Sequence, residues 1–376
     1  MSIPSGQPYD GHHAGPSLTP VAFKTPLTEG ARLRPEKHMG RQYIKRQAQP
    51  IATVRRGVQA AFLALNAWIG VQFYLWVRYF ESGGTAVYVP RPPGVEGWLP
   101  IASLMNLKYF LLTYSVPDVH PAGMFLLIAF VGMSVVFRKA FCSWMCPIGT
   151  LSEWLWQGGA ALCGRNLAFP RWVDIPLRSL KYVLLALVVW VVVTMPVPAL
   201  AAFLGSPYGL VADVKMLDFF RDAGRLTIQV CSVLVILSVV TKNFWCRFLC
   251  PYGALMGLAS LSSPMRITRD PATCIDCGKC AKACPSLIPV DVLRTVRTPE
   301  CNGCLTCVSV CPVQDALEMR TLVGRRRVAA PRIALGLALI FVAVVGYAKI
   351  TGHWHGQVQE DLFFKLIPIA GTLSHP

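Results

Sequence analysis

The sequence predicts a mainly α-helical membrane protein with about five spanning helices, two parallel C-x3-C-P repeats and a small α+β module ahead of the last span. Three observations lead there. Of 376 residues 54% are hydrophobic and 15% charged, with a mean hydropathy of +0.47, too apolar for a soluble chain of this length. Apolar segments recur near residues 58–77, 122–137, 180–202, 226–240 and 333–350, close to the length that crosses a bilayer. Between the last two lies a run of cysteines at a spacing used for metal clusters.

Residues 1–56 are polar, rich in Pro, Gly and basic side chains, and lack an apolar core of signal-peptide length; they read as a flexible basic cytoplasmic tail. Residues 57–261 form a four-span membrane domain, 262–328 the cysteine-rich module, 329–351 the fifth span and 352–376 an external tail. Basic residues set the orientation. Arg55 and Arg56 precede the first segment, Arg138 and Lys139 follow the second, Arg178 and Lys181 open the third, Lys242 closes the fourth, and Arg325 to Arg327 precede the fifth. All fall on one side if every segment spans, which is the positive-inside pattern of a bacterial inner-membrane protein. The loops at 80–120 and 203–225 are then external and the module is cytoplasmic. A net charge of +17 is accounted for by these flanks, so nucleic acid is not an expected partner and the bilayer is.

Cys274, Cys277, Cys280 and Cys284 precede Pro285, and Cys301, Cys304, Cys307 and Cys311 precede Pro312, so C-x2-C-x2-C-x3-C-P occurs twice. In such pairs each run gives three thiolates to one [4Fe-4S] cluster and its fourth to the other. Cys274, Cys277, Cys280 and Cys311 would hold one cluster, and Cys301, Cys304, Cys307 and Cys284 the second. A zinc ribbon would use two separated C-x2-C pairs instead. Thiolate ligands need a reducing compartment, which independently favours the cytoplasmic side.

A second repeat, offset by 104 residues, matches Phe141 to Gly149 with Trp245 to Gly253 and contains Cys142, Cys146, Cys246 and Cys250. On a helix, residues i and i+4 share a face. The preceding helix is expected to continue into each motif, present both thiols in one direction, and end at the Pro and Gly that follow. Four thiols would then meet near a parallel-repeat axis at the cytoplasmic membrane boundary. A further iron-sulfur cluster, copper as Cu(I), a redox dithiol pair and a structural helix end are all consistent with them. Cys163 and Cys231 lie outside any motif and read as small buried apolar residues.

None of the histidines at 12, 13, 38, 120, 353, 355 and 375 lies deep in a span, which argues against transmembrane haem; no C-x2-C-H, dinucleotide fingerprint or P-loop occurs. His120, His353 and His355 read as interfacial. Glu153, Trp154 and Trp156 read as a solvated acid and an aromatic belt in preference to a quinone pocket.

C-x3-C-P twice on membrane helices followed by C-x2-C-x2-C-x3-C-P twice resembles the membrane-bound polyferredoxin family, the NapH/NosR/CcoG-like 4Fe-4S membrane proteins, over about residues 58–320. The resemblance implies an inner-membrane electron carrier that links redox partner proteins: a cytoplasmic or quinone-side one and a membrane or periplasmic respiratory one. It also implies cluster ligation by the eight module cysteines and a metal or redox role for the other four. A fifth span and tail after the module is more similar to the CcoG layout, which adds the alternative of a copper-reducing assembly factor for a membrane oxidase. A redox-sensing membrane regulator is the third class. An enzymatic role, as part of a quinol dehydrogenase or a metal reductase, stays open.

Overall fold

The computed structural model describes residues 43–47 and 49–374. The expected tail therefore lies, up to residue 42, outside the described residues. Its last part is not free. Lys45 pairs with Val313, the Arg46 amide donates to Pro312 O at 2.8 Å and the Gln314 amide to Ile44 O at 2.9 Å. Arg46 Nη2 lies 2.6 Å from Glu318 Oε1. Helix α1 begins at Ile51, ahead of the expected boundary at residue 57, and runs to Glu81.

The helices that follow are α2 (Pro100–Thr113), α3 (Pro121–Phe137), α4 (Ala140–Trp144), α5 (Pro147–Cys163), α6 (Arg171–Thr194), α7 (Val197–Leu204), α8 (Pro207–Leu210), α9 (Ala212–Arg221), α10 (Arg225–Val240) and α11 (Pro251–Ala259). The module comprises β1 (Met265–Arg269), α12 (Lys279–Ala283), α13 (Thr306–Ser309) and β2 (Leu317–Thr321); α14 (Ala330–Ile350) and α15 (Glu360–Leu366) complete the chain. Strands β1 and β2 pair antiparallel, with Ile267 opposite Met319 and Arg269 opposite Leu317. That pairing closes the module at its ends and leaves both cysteine runs in the loop between.

By length and composition, α1, α6 and α14 can each cross a membrane, and α9 with α10 makes a fourth candidate bent by 80°. Helix lengths alone thus give three or four crossings among the described residues, not five. The difference has physical causes. Helix α3 is a 17-residue helix, apolar on all sides, with Ala122, Met124, Leu127, Ala129 and Met133 at most 1% exposed. It is the core around which α2, α11 and α14 pack, so its length is matched to protein rather than lipid. The third segment breaks after Thr194, where Met195 and Pro196 are extended and Lys108 Nζ takes the carbonyls of Val192, Val193 and Met195 at 3.0, 3.0 and 2.5 Å. The fourth stops at Val240 rather than entering its motif, since Thr241 is extended and Asn243 left-handed.

Helix α6 is polarised the wrong way for water. Val183, Leu187, Trp190 and Val193 are 60% or more exposed, whereas Asp174 and Lys181 are buried, as for a helix facing lipid on one side and protein on the other. His120 is not interfacial but buried. Its Nε2 donates to Gly209 O at 2.9 Å, beside Arg91, which pairs with Glu96 at 2.7 Å and Asp213 at 2.6 Å. This cluster ties α3 to α9 and the intervening loops. Glu153 is likewise not solvated but clamped by Arg55 at 2.5 Å. Cys163 is exposed and Cys231 half-buried, neither in the core.

Helices α5 and α10 touch closely at Gly159, where a Cβ would lie 2.0 Å from Val239 O; at Gly158 it would meet nothing within 4 Å. Gly159→Ala should therefore destabilise the protein by about 1–3 kcal/mol through overpacking, whereas Gly158→Ala should leave stability unchanged or slightly raised. Thermal unfolding of both variants in detergent checks this; equal melting temperatures would refute the close crossing.

Candidate functional site

Each module run winds the same way. The residue before the second cysteine and the one after it both take positive φ: Asp276 (52°) and Gly278 (67°) in the first copy, Gly303 (61°) and Leu305 (58°) in the second. Two left-handed residues flanking a cysteine curl the chain tightly enough for three thiols to line one concave wall. A short helix follows, α12 or α13, and the fourth cysteine lies at its end, Cys284 as the cap and Cys311 just beyond.

The two walls form two cavities. One is lined by Cys274, Cys277, Cys280 and Cys311, the other by Cys284, Cys301, Cys304 and Cys307. These are the crossed sets. The same crossing appears in the electrostatics, because Cys284 interacts with Cys301 and Cys304 while Cys311 interacts with Cys274 and Cys277. Among the described residues no three Cys, His, Asp or Glu side chains converge at single-ion spacing. A cube accepts thiolates at separate corners, so the donor sets fit a cluster.

The environments differ. Cys284, Cys301, Cys304 and Cys307 are all buried, beside Ile267, Ile288, Val290 and Val296. In the first cavity Cys277 is exposed and the other three are half-buried, near Arg269, Asp276 and Asp291. Burial pushes the Cys280 thiol up to about 11 and the Cys284 thiol up to about 12, a cost that metal ligation of the thiolates would offset. Arg269 Nη1 bonds Asp276 at 3.1 Å and Arg46 acts on Cys311, placing fixed cations beside the first set.

The C-x3-C-P motifs are not continuous helices. Helix α4 ends between Cys142 and Cys146, and Cys246 lies in a π-type turn over Trp245–Leu249. Cys146 and Cys250 are the N-caps of α5 and α11, with Pro147 and Pro251 as first helical residues. Proline thus starts a helix here rather than ending one, since its missing N–H costs nothing at that position. The capping sulfur faces a helix amino terminus, and the Gly253 amide donates to Cys250 Sγ at 3.2 Å.

The four thiols come together nonetheless: Cys246 interacts with Cys250, Cys146 and Cys142. They stand against the module's second loop, with Ser143 Oγ donating to Asn302 O at 2.7 Å and Trp144 Nε1 to Gly303 O at 3.1 Å. Gln59 Nε2 bonds Ser143 O at 3.0 Å. Arg55, clamped to Glu153, acts on Cys304. Glu300, next to Cys301, accepts from Lys181 Nζ at 2.6 Å and Tyr182 Oη at 2.8 Å. Burial opposes its ionisation, yet Lys139 and Lys181 hold it below the usual carboxylate range.

Sequence reasoning read Arg55, Arg138, Lys139 and Lys181 as topological anchors, but all four are buried. The signal available was proximity in sequence: Lys139 precedes Cys142 by three residues and Glu300 abuts Cys301. Trp154 is exposed, as a belt residue would be, and the indole of Trp156 lies under Lys242 at 5.2 Å.

Comparison with known proteins agrees with this arrangement. A 4Fe-4S binding domain family matches residues 119–170 and 226–267, the two segments that contain the C-x3-C-P motifs, and a 4Fe-4S dicluster domain family matches residues 267–319. YccM of Escherichia coli (strain K12), named as an electron transport protein, is 49% identical over 328 residues, covering 86% of this chain and 92% of its own. The ferredoxin-type protein NapH of Haemophilus influenzae is 26% identical over 47% of this chain and 61% of its own. The regulatory protein NosR of Stutzerimonas stutzeri is 24% identical over 56% of this chain and 29% of its own. No solved structure matches. With cysteine spacing, cavities and full-length similarity in agreement, the chain belongs to the membrane-bound polyferredoxin family of 4Fe-4S electron-transport proteins.

Proposed function

We propose that this protein passes single electrons between a cytoplasmic or quinone-side partner and a membrane or periplasmic respiratory partner, through two module clusters and the boundary thiol site. The observation that carries the reading is the contact between the buried cavity and the first C-x3-C-P motif through Asn302 and Gly303. Cys274, Cys277, Cys280 and Cys311 are assigned to one [4Fe-4S] cluster and Cys301, Cys304, Cys307 and Cys284 to the other. The clusters supply one-electron chemistry. The protein's own contribution is position and environment.

Cys277 is the exposed thiol of the eight, so a cytoplasmic partner approaches the first cavity there. Apolar walls and buried thiols keep water from the second. Arg55 and Arg269 place positive charge beside Cys304 and the first set respectively, which favours reduced over oxidised clusters electrostatically. The reading also includes five crossings of the inner membrane, α3 being sheathed by other helices, with the module on the cytoplasmic side.

A full-length chain with Cys142, Cys146, Cys246 and Cys250 all changed to Ser retains the module, and should bind about eight iron and eight acid-labile sulfide after anaerobic reconstitution. Fewer than about five iron would refute two module clusters. Cys284→Ser should disturb the cluster held by Cys301, Cys304 and Cys307 in EPR spectra; disturbance confined to the other cluster would refute the crossed ligation. For topology, a reporter fused at Arg320 should report the cytoplasm and one at Pro376 the outside. The same compartment for both would mean that α14 does not cross.

A further inference from the structure

Resting on the electron-carrier reading, we propose that Cys142, Cys146, Cys246 and Cys250 hold a third iron-sulfur cluster, and that Lys139 is the residue that balances its negative charge. The argument begins with the lysine. Lys139 lies between α3 and α4 and is 3% exposed, yet its ammonium makes no hydrogen bond with any described residue. A Cβ built on Gly253 would be 3.5 Å from Lys139 Nζ and 3.5 Å from Cys250 Sγ, with Cys246 O at 3.6 Å, so the ammonium points into the thiol site. Its charge acts on Cys142, Glu300, Cys250 and Cys246.

A buried, unpaired ammonium is costly. The one nearby carboxylate, Glu300, already accepts from Lys181 and Tyr182 through its two oxygens. The remaining compensation must come from the sulfurs. Neutral thiols and disulfides are weak acceptors and supply no charge, so a dithiol pair or a purely structural helix end leaves Lys139 only the Glu300 carboxylate, which Lys181 also uses. Four thiolates with no metal would repel one another across the site. A cationic iron-sulfide core between them removes that repulsion and leaves a net anion, which the lysine then offsets.

The site is built for sulfur. Backbone N–H groups at the starts of α5 and α11 reach Cys146 and Cys250, the kind of hydrogen bond that sets cluster potentials. Gly149 is required for the same wrap, since a Cβ there would lie 2.1 Å from Cys142 O. Contact with the module's second loop favours a one-electron centre over a redox-inert ion such as zinc. The repeat itself isolates the lysine's role: the position matching Lys139 is Asn243, which is engaged by Ser152 at 3.2 Å. The second copy thus adds no cation at this position, and the other lysine that acts on the thiols is Lys181, through Cys142.

Full-length protein purified anaerobically should contain about twelve iron, falling by about a third, to about eight, in Cys246→Ser. Lys139→Met should lower the midpoint potential of the centre lost in Cys246→Ser, or lose that centre, with the module signals unmoved; Lys139→Arg should restore it. A wild-type content of about eight iron with intact module spectra would overturn the third cluster while leaving the electron-carrier reading standing. Copper or zinc that disappears in Cys246→Ser would overturn the iron assignment. An unchanged potential in Lys139→Met would overturn the role given to the lysine.

Discussion

Gly303 has no side chain, and the joining of module to membrane helices turns on that. Its φ is +61°, and a Cβ would lie 3.1 Å from Phe137 O and 3.5 Å from the Arg138 side chain. Only a bare backbone lets the second cysteine loop sit against the end of α3. Once it does, Trp144 and Ser143 can reach the carbonyls of Gly303 and Asn302, and the Arg138 guanidinium, itself fully buried, spans Ser260 O at 3.2 Å and Thr298 O at 2.6 Å. The first loop provides the control within the same molecule. Its matching residue, Asp276, has the same handedness, and there an aspartate serves, its side chain tied to Arg269 at 3.1 Å. The winding of the cysteines calls for a left-handed residue; the docking calls for glycine.

The three thiol groups differ in exposure. Cys277 is at the surface, the set around Cys304 is buried, and the C-x3-C-P thiols are half-buried. Loss of water raises the energetic weight of every nearby charge, and several buried ionic groups beside these thiols are held by a partner: Arg55 by Glu153, Glu300 by Lys181, Arg138 by carbonyls. Breaking one member of such a pair strands the other in a low-dielectric setting, so the surroundings of the proposed clusters resist change in charge. That is the property needed to hold a potential constant while partners come and go.

Much of the site was legible because cysteine spacing is a local code. The C-x2-C-x2-C-x3-C-P runs gave the crossed sets that line the two cavities, and the 104-residue repeat gave four thiols in one place. What could not be read were contacts made by residues that look ordinary in sequence. A basic residue beside an apolar segment has two uses, facing lipid headgroups or reaching inward, and sequence does not distinguish them; Arg55, Arg138, Lys139 and Lys181 took the second. The same ambiguity misplaced His120 and Glu153. Helix continuity was misread for a different reason: the C-P step could stop one helix or start another, and here proline takes the first position of a new helix in both copies. Span counting is ambiguous at α3, because hydropathy does not tell a helix wrapped in lipid from one wrapped in other helices.

The two C-x3-C-P copies also explain how a repeat can hold one site while serving different neighbours. Matched thiols meet only if the copies face each other across their shared surface, which commits C-P-x-G in both to the same fold. The residues that point away are free to diverge. In the first copy Ser143 faces the module. In the second its counterpart, Arg247, faces α6, pairing with Asp174 at 2.5 Å while Arg178 takes the other carboxylate oxygen at 2.5 Å. One copy thus holds the site to the cysteine module and the other to α6, a helix with an exposed apolar flank. A centre held by both copies sits at the join between the two parts of the protein that an electron would have to cross.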